Sequence, residues 1–362
     1  MEFAILIPPY QLQELNVFLI LLKHQSKYHL ETCKFSVISK SIYNVNVVKM
    51  QNNQKIIAIF GAGGFLGKYL VGQLAKLDYR IKIATRNPYL KGYLKPLGNP
   101  GQIELFKTNI FNPEDVKKVL RNCSSAINLV GILYETRKQK FNQVHSQFPY
   151  LLSNLCNEIG IKNMVHISAL GIKKNHTSKY MQSKLEGEKN IQNLFKNSVI
   201  LRPSLIFGHN DKFFNTFASL TQFLPIIPLI GEGKTKFSPI YAGDVAKAIV
   251  KVLTLNNSDP KIYELGGPEI YSFKELMEIL LKEIKKKRLL IPIPFSVARI
   301  QSYFLQMMPN PLLTPDQVEL LKYNNILTGE YPNLKDLGIV GKTIQSILPK
   351  YIYRFRDGGQ FG

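Results

Sequence analysis

The sequence predicts an α/β fold: a Rossmann-type doubly wound parallel sheet followed by a small C-terminal α/β lobe. Short apolar runs of the kind buried on both faces of a sheet recur from residue 55 onward. Helical patterns separate these runs, and strands that alternate with helices join into a parallel sheet through right-handed crossovers. A glycine turn closes the first run and opens the first helix.

The elements follow in order. Residues 56–60 read as the first strand, ended by Gly61-Ala62-Gly63-Gly64-Phe65-Leu66-Gly67. Leu66, Leu70 and Leu74 then fall at helical spacing. Residues 81–84, 103–106, 126–130, 164–168 and 199–201 read as strands two to six, and residues 113–120 and 150–159 as intervening helices. The expected domains are a nucleotide-binding domain over 51–250 and a small lobe over 251–350, partly interleaved with 200–240 and followed by a tail at 351–362.

The glycine turn carries the first chemistry. Gly61 permits the tight turn, Gly64 lets backbone approach a pyrophosphate, and Gly67 lets the helix sit close to the strand. A helix N-terminus there offers free N–H groups and partial positive charge to phosphates. The second strand ends in Ala84-Thr85-Arg86-Asn87, with Arg86 where NAD-specific sites usually place a carboxylate. A guanidinium suits a 2'-phosphate, so NADPH is expected over NADH. The second motif is YxxxK, Tyr180 to Lys184 on a predicted helix, whose i and i+4 positions share one face. Lys184 is expected to lower the Tyr180 pKa and bond the nicotinamide ribose, leaving Tyr180 as proton donor or acceptor.

Together with Ala84-Thr85-Arg86-Asn87-Pro88, Val165-His166-Ile167-Ser168-Ala169-Leu170-Gly171, Leu201-Arg202-Pro203-Ser204-Leu205-Ile206-Phe207-Gly208, Phe213-Phe214-Asn215 and Pro239-Ile240-Tyr241-Ala242-Gly243-Asp244-Val245-Ala246, these motifs resemble the extended or atypical short-chain dehydrogenase/reductases of the epimerase/dehydratase superfamily. Within it the chain is most similar to the branch holding the accessory subunit of respiratory complex I and its bacterial relatives, over about residues 55 to 345. The resemblance implies pyrophosphate contacts from Gly61, Gly64, Phe65, Leu66 and Gly67, and a 2'-phosphate contact from Arg86. It implies adenine contacts from Asn109 and Ile110, and a nicotinamide side formed by Val130, Gly131, Lys184 and Pro203. Asn109 stands where the family commonly has Asp. Ser168 is implied as the ligand of a substrate oxygen, but Ala169 follows it where many members carry a second hydroxyl. Gly266-Gly267-Pro268 and the helix from Phe273 resemble the family's substrate lobe.

Composition narrows the remaining classes. With 362 residues, 45% hydrophobic, the chain can bury a main domain and a smaller lobe. A net charge of +22 favours polyanions without choosing among them, and mostly reflects lysine usage; no specific nucleic-acid partner is expected. Cys33, Cys123 and Cys156 form no CxxC pair, and His145, His166, His176 and His209 have no metal-ligand spacing, so neither a disulfide framework nor a metal site is expected. His166 alternates into a strand and reads as core or interface. Asp244 reads as a helix cap. Residues 1–50 lack a clear period, and the run 17–22 is too short to span a bilayer. Glu2, Glu14 and Glu31, with no arginine before residue 80, argue against a transit peptide. Residues 1–49 are therefore expected to be dispensable, with Met50 a candidate start.

Two functional readings share this fold and cofactor. One is an NADPH-dependent oxidoreductase or epimerase-like enzyme with Tyr180 as acid/base, Lys184 as its partner and Ser168 as oxygen ligand. The other is a nucleotide-holding structural or assembly subunit associated with complex I or quinone biosynthesis. The expected location is cytoplasmic or, in a eukaryote, the mitochondrial matrix side. Lys285-Lys286-Lys287-Arg288 and the apolar stretches after them read as a helix end entering a buried strand and helix, with peripheral contact to an anionic membrane face as the alternative.

Overall fold

Seven parallel strands build the main sheet of the computed structural model, which describes residues 55–173, 177–255 and 261–359. Residues 1–50 and His176 lie outside the described residues, so the expectations placed on them do too. The strands are β1 (Ile56–Phe60), β2 (Arg80–Thr85), β3 (Ile103–Lys107), β4 (Ser125–Asn128), β5 (Asn163–Ile167), β6 (Ser198–Pro203) and β7 (Ile262–Leu265). Their spatial order is β7-β6-β5-β4-β1-β2-β3, so the winding reverses between β1 and β4. In open α/β sheets ligands bind outside the carboxyl ends of the strands at such a reversal.

β1 reads as a continuous apolar run because helices cover both of its faces. On one face Ile57 and Ile59 meet Leu66, Leu70 and Leu74 of α1 (Phe65–Lys76). On the other, Ala58 and Phe60 meet α2 (Pro113–Leu120) and α3 (Phe148–Ile159). Ile191 of α4 (Lys179–Leu194) joins the second face. α2 has the predicted bounds, set by Pro113 in its first turn and Asn112, whose side chain accepts from the Glu114 N–H. β4 stops at Asn128 and not at Val130 as expected. The Asn128 side chain accepts the Val130 N–H at 3.0 Å and turns the chain out of the ladder. α3 begins two residues before the expected Tyr150 and is entered through a π-helical segment, Gln143–Gln147.

A second core lies around α5 (Phe213–Phe223) and joins Phe207, Phe214 and Ala218 to Phe273, Leu276, Met277, Ile344 and Tyr351. Its components therefore come from before and after β7, which lies past residue 250 yet forms an edge of the main sheet. Asp244 does not cap a helix. It sits in the first turn of α6 (Ala242–Val252), whose N-cap is Tyr241, and is fully buried. There it accepts the Lys342 N–H at 2.7 Å and the Lys247 ammonium at 3.0 Å, holding the C-terminal segment against α6.

The basic run after α7 (Phe273–Glu283) also departs from expectation. Strand Leu289–Ile293 forms and pairs in parallel with Ile226–Ile230, but Leu289, Ile291 and Ile226 are exposed rather than buried. So are Val297, Ile300, Tyr303 and Phe304 of α8 (Phe295–Leu305), and Met307 and Met308 beyond it. No described helix is long and apolar enough to cross a membrane.

Candidate nucleotide-binding site

The glycine turn sits at the carboxyl end of β1, beside the winding reversal. Gly61 has φ +87°, a left-handed conformation that glycine adopts without cost, and a Cβ there would stand 2.9 Å from the backbone of Leu129 and Val130. The Gly64 N–H bonds Gly61 O at 3.0 Å, closing the turn onto α1. Gly64 is the N-cap, contributes no side-chain cap, and no acidic residue occupies the first turn. The donors of that turn are thus left to an anion. Phe65 and Leu66 open the helix. A Cβ on Gly67 would lie 2.0 Å from Ala62 O, so the helix rests directly on the turn.

Arg86 is exposed one residue past β2. Lys91 and Tyr93 follow on a 3-10 helix, Tyr89–Leu97, and both reach back to the glycine turn. The Lys91 stem passes over Gly63, and the Tyr93 hydroxyl donates to Gly63 O at 3.3 Å. Beyond β3, the exposed Asn109 has its side-chain oxygen occupied by the Phe111 N–H at 3.1 Å, while its own N–H bonds Asp115 at 2.9 Å. Ile110 is partly buried against the core on the α2 and α3 side.

Past β4, the Val130 and Gly131 turn meets α4. A Cβ on Gly131 would stand 3.5 Å from the Lys184 ammonium and 3.7 Å from His145 Nε2. Lys184 is buried and donates to Ile167 O at 3.1 Å, one residue before Ser168. Burial pushes its pKa down to about 8, with Glu188 opposing the shift. Tyr180 is half-buried on the same helix and stands edge-on to the His145 ring at 5.3 Å. Its phenol is pushed up to about 12, first by burial and then by the Asp316 carboxylate, so the expected lowering by Lys184 is not what the surroundings of Tyr180 produce. Asp316, at the start of α9 (Pro315–Leu320), accepts from Ser178 Oγ at 2.8 Å, the Lys179 N–H at 2.7 Å and the Tyr180 N–H at 3.2 Å.

His145, set aside in the sequence for want of metal spacing, lies at the centre of this arrangement. Its Nε2 accepts the Ile132 N–H at 3.0 Å, which places the proton of the neutral ring on Nδ1, facing Ser183 Oγ at 3.0 Å. Burial, then Lys184 and His166, hold its pKa down near 2, so the ring is neutral throughout the physiological range. His166 is core, as its alternation predicted, and Asn128 is its register partner on β4. Among the described residues, neither His166 nitrogen, nor Asn128 Nδ2, nor Ser168 Oγ has a hydrogen-bond partner. Pro203, buried at the end of β6, accepts the Leu170 N–H at 2.9 Å and ties the segment after Ser168 to that strand. Beneath these groups Glu188 and Arg202 form a buried two-bond ion pair at 2.6 and 3.0 Å. No cluster of metal-ligating side chains occurs among the described residues.

The sites named from the sequence thus fall into two groups on one sheet edge. Arg86, Asn109 and Ile110 follow β2 and β3. Val130, Gly131, Ser168, Tyr180, Lys184 and Pro203 gather around β4, β5 and β6, with the glycine turn between the two sets. Lys91, His145 and Asp316 join them without having been singled out as site residues. Only Gly63, an extra glycine in the turn, hinted at one of these.

A parallel sheet with a glycine turn at its reversal point and a Tyr–Lys helix beside it defines an NAD(P)-binding protein of Rossmann type. The chain belongs to the NAD dependent epimerase/dehydratase family, whose profile matches residues 57–266. It is similar to NADH dehydrogenase (ubiquinone) 1 alpha subcomplex subunit 9 of Arabidopsis thaliana, 30% identical over 84% of this chain and 79% of that one. The Mus musculus protein of the same name is 30% identical over 78% of this chain and 76% of its own. The 40 kDa subunit of NADH-ubiquinone oxidoreductase from Neurospora crassa is 25% identical over 84% and 80%. Among solved structures, UDP-glucuronic acid 4-epimerase from Bacillus cereus shares the fold at TM-score 0.59 and 21% identity, over 82% of this chain and 98% of that one.

Proposed function

We propose that this protein binds NADPH in preference to NADH and holds it mainly as a structural and assembly element, in association with respiratory complex I. The observation that carries the reading is the likeness to complex I subunits of a plant, an animal and a fungus, which extends over more than three quarters of each chain. The two groups of site residues suit the two ends of a dinucleotide laid across the reversal between β1 and β4. Arg86 would meet the 2'-phosphate, and Lys184 with Gly131 the nicotinamide ribose.

Titrating the purified protein with NADPH and NADH tests the cofactor. Arg86→Ala should remove most of the preference, since a charge-assisted paired contact is worth about 1.5 to 3 kcal/mol. Equal affinity of the parent for both nucleotides would defeat the assignment. Association is tested by native separation of respiratory complexes, where the protein should migrate with complex I activity and not free.

A second reading, an NADPH-dependent oxidoreductase with a link to quinone metabolism, is favoured by one arrangement. Lys184 lies beside the turn after β4 and bonds the carbonyl preceding Ser168, and Tyr180 stands one helical turn before it on α4, a grouping that would suit acid/base chemistry on a substrate oxygen. The exposed apolar side chains of α8 and the neighbouring strand pair, bordered by Lys285 and Lys287, would suit peripheral contact with an anionic membrane face.

A further inference from the structure

We propose that Lys91 is the second cation of the nucleotide site and, with Arg86, selects a dinucleotide carrying a 2'-phosphate over one without it. The inference rests on the reading that this chain binds NADPH.

It starts from a glycine whose backbone does not need to be glycine. Within the turn Gly61 is left-handed, Gly64 leaves the helix N-terminus open and Gly67 admits the helix. Gly63 has no positive φ, so an ordinary residue could adopt its conformation. What a side chain would meet there is Lys91. A Cβ on Gly63 would stand 2.8, 3.0 and 3.3 Å from Lys91 Cε, Cδ and Cγ. Three successive carbons of one lysine therefore lie along a trough that only glycine leaves open.

The same 3-10 helix fixes this placement. Lys91 begins from a turn, its N–H bonding Pro88 O at 3.1 Å. Two residues on, the Tyr93 hydroxyl bonds Gly63 O, and the Tyr93 ring lies 5.7 Å from the Lys91 ammonium. Neither Lys91 nor Arg86 has a carboxylate partner among the described residues. Two unneutralised cations thus belong to one connection leaving β2, on the side of the turn where the adenosine ribose of a bound dinucleotide lies. A pyrophosphate is already served by the N-terminus of α1, whereas a 2'-phosphate carries close to two negative charges and gains from both cations. Lysine contributes as a point charge, carried at the end of the stem that the trough holds in place.

The test is a set of binding titrations with NADPH and with NADH, followed by nucleotide fluorescence. Lys91→Met should weaken NADPH about tenfold, the scale of one lost charge-assisted contact, and leave NADH nearly unchanged. Lys91→Arg should retain the preference. Gly63→Ala, which displaces the stem while keeping the charge, should also cost NADPH selectively. An equal loss for both nucleotides would mean that Lys91 serves the pyrophosphate, and no loss would mean that it serves neither. Either result overturns the inference while leaving the preference of the parent intact. A parent without any preference removes the NADPH reading and this inference with it.

Discussion

Lys184 makes the site a measurable function of pH. Its ammonium is buried, bonded to Ile167 O, and its pKa falls from 10.5 to about 8. A lowered lysine pKa means that folding disfavours the charged form. Below about pH 8 the group is protonated in both states and the full penalty applies. Between about pH 8 and 10.5 the unfolded chain holds a proton that the folded one has lost, so stability rises with pH. The shift corresponds to about 3 kcal/mol. Cys123, raised to about 11, and Cys156 and Tyr180, both raised to about 12, act in the opposite direction at high pH, because the unfolded chain releases their protons first. Comparing the parent with Lys184→Met cancels these contributions. Urea unfolding of both proteins without nucleotide, followed by circular dichroism from pH 7 to 10.5, should show the parent gaining about 3 kcal/mol relative to the variant. A difference that stays constant across that range would refute the buried, depressed lysine.

Three further outcomes are expected. Gly67→Ala should lower the urea midpoint by the equivalent of about 3 kcal/mol or prevent folding, because its Cβ would collide with Ala62 backbone atoms that cannot move aside; a parent-like midpoint would contradict the packing. Tyr180→Phe keeps the ring contacts with Phe141 and His145 and should hold NADPH as the parent does, with no carbonyl-dependent oxidation in either protein. Oxidation present in the parent and lost in the variant would establish the enzyme reading instead. Phe304→Ser with Met307→Ser should reduce sedimentation with anionic vesicles at low salt more than Lys285→Gln with Lys287→Gln, and high salt should release the parent; a parent that never sediments would exclude membrane contact.

The parallel sheet was legible because its strands are buried on both faces, and β1 carries that fact as an unbroken apolar run. Chemistry written within a few residues was equally plain: the glycine turn and the YxxxK helix need only local spacing. What escaped depends on long-range contact. His145 meets Ser183 across 38 positions, and Asp316 meets Tyr180 across 136, so no periodicity announces either pair. Asp244 resembled a cap because an acid near a helix start usually is one, but its partner is Lys342, 98 positions away. The strand at Leu289–Ile293 looked buried from its composition, yet among the described residues its one ladder partner is another short strand, which leaves much of the pair exposed.

The grip of Asp316 on Ser178, Lys179 and Tyr180 has a consequence for how the protein is made. A ribosome delivers the glycine turn, β1 to β6 and the whole of α4 long before it delivers Asp316. The nascent chain can therefore assemble the sheet while the first turn of α4 still lacks the carboxylate that secures its N–H groups. The Tyr180 end of the site is finished only once Asp316 has been made, after the phosphate end has been able to form. A nucleotide captured early by its phosphates would then be waiting when the other end closes.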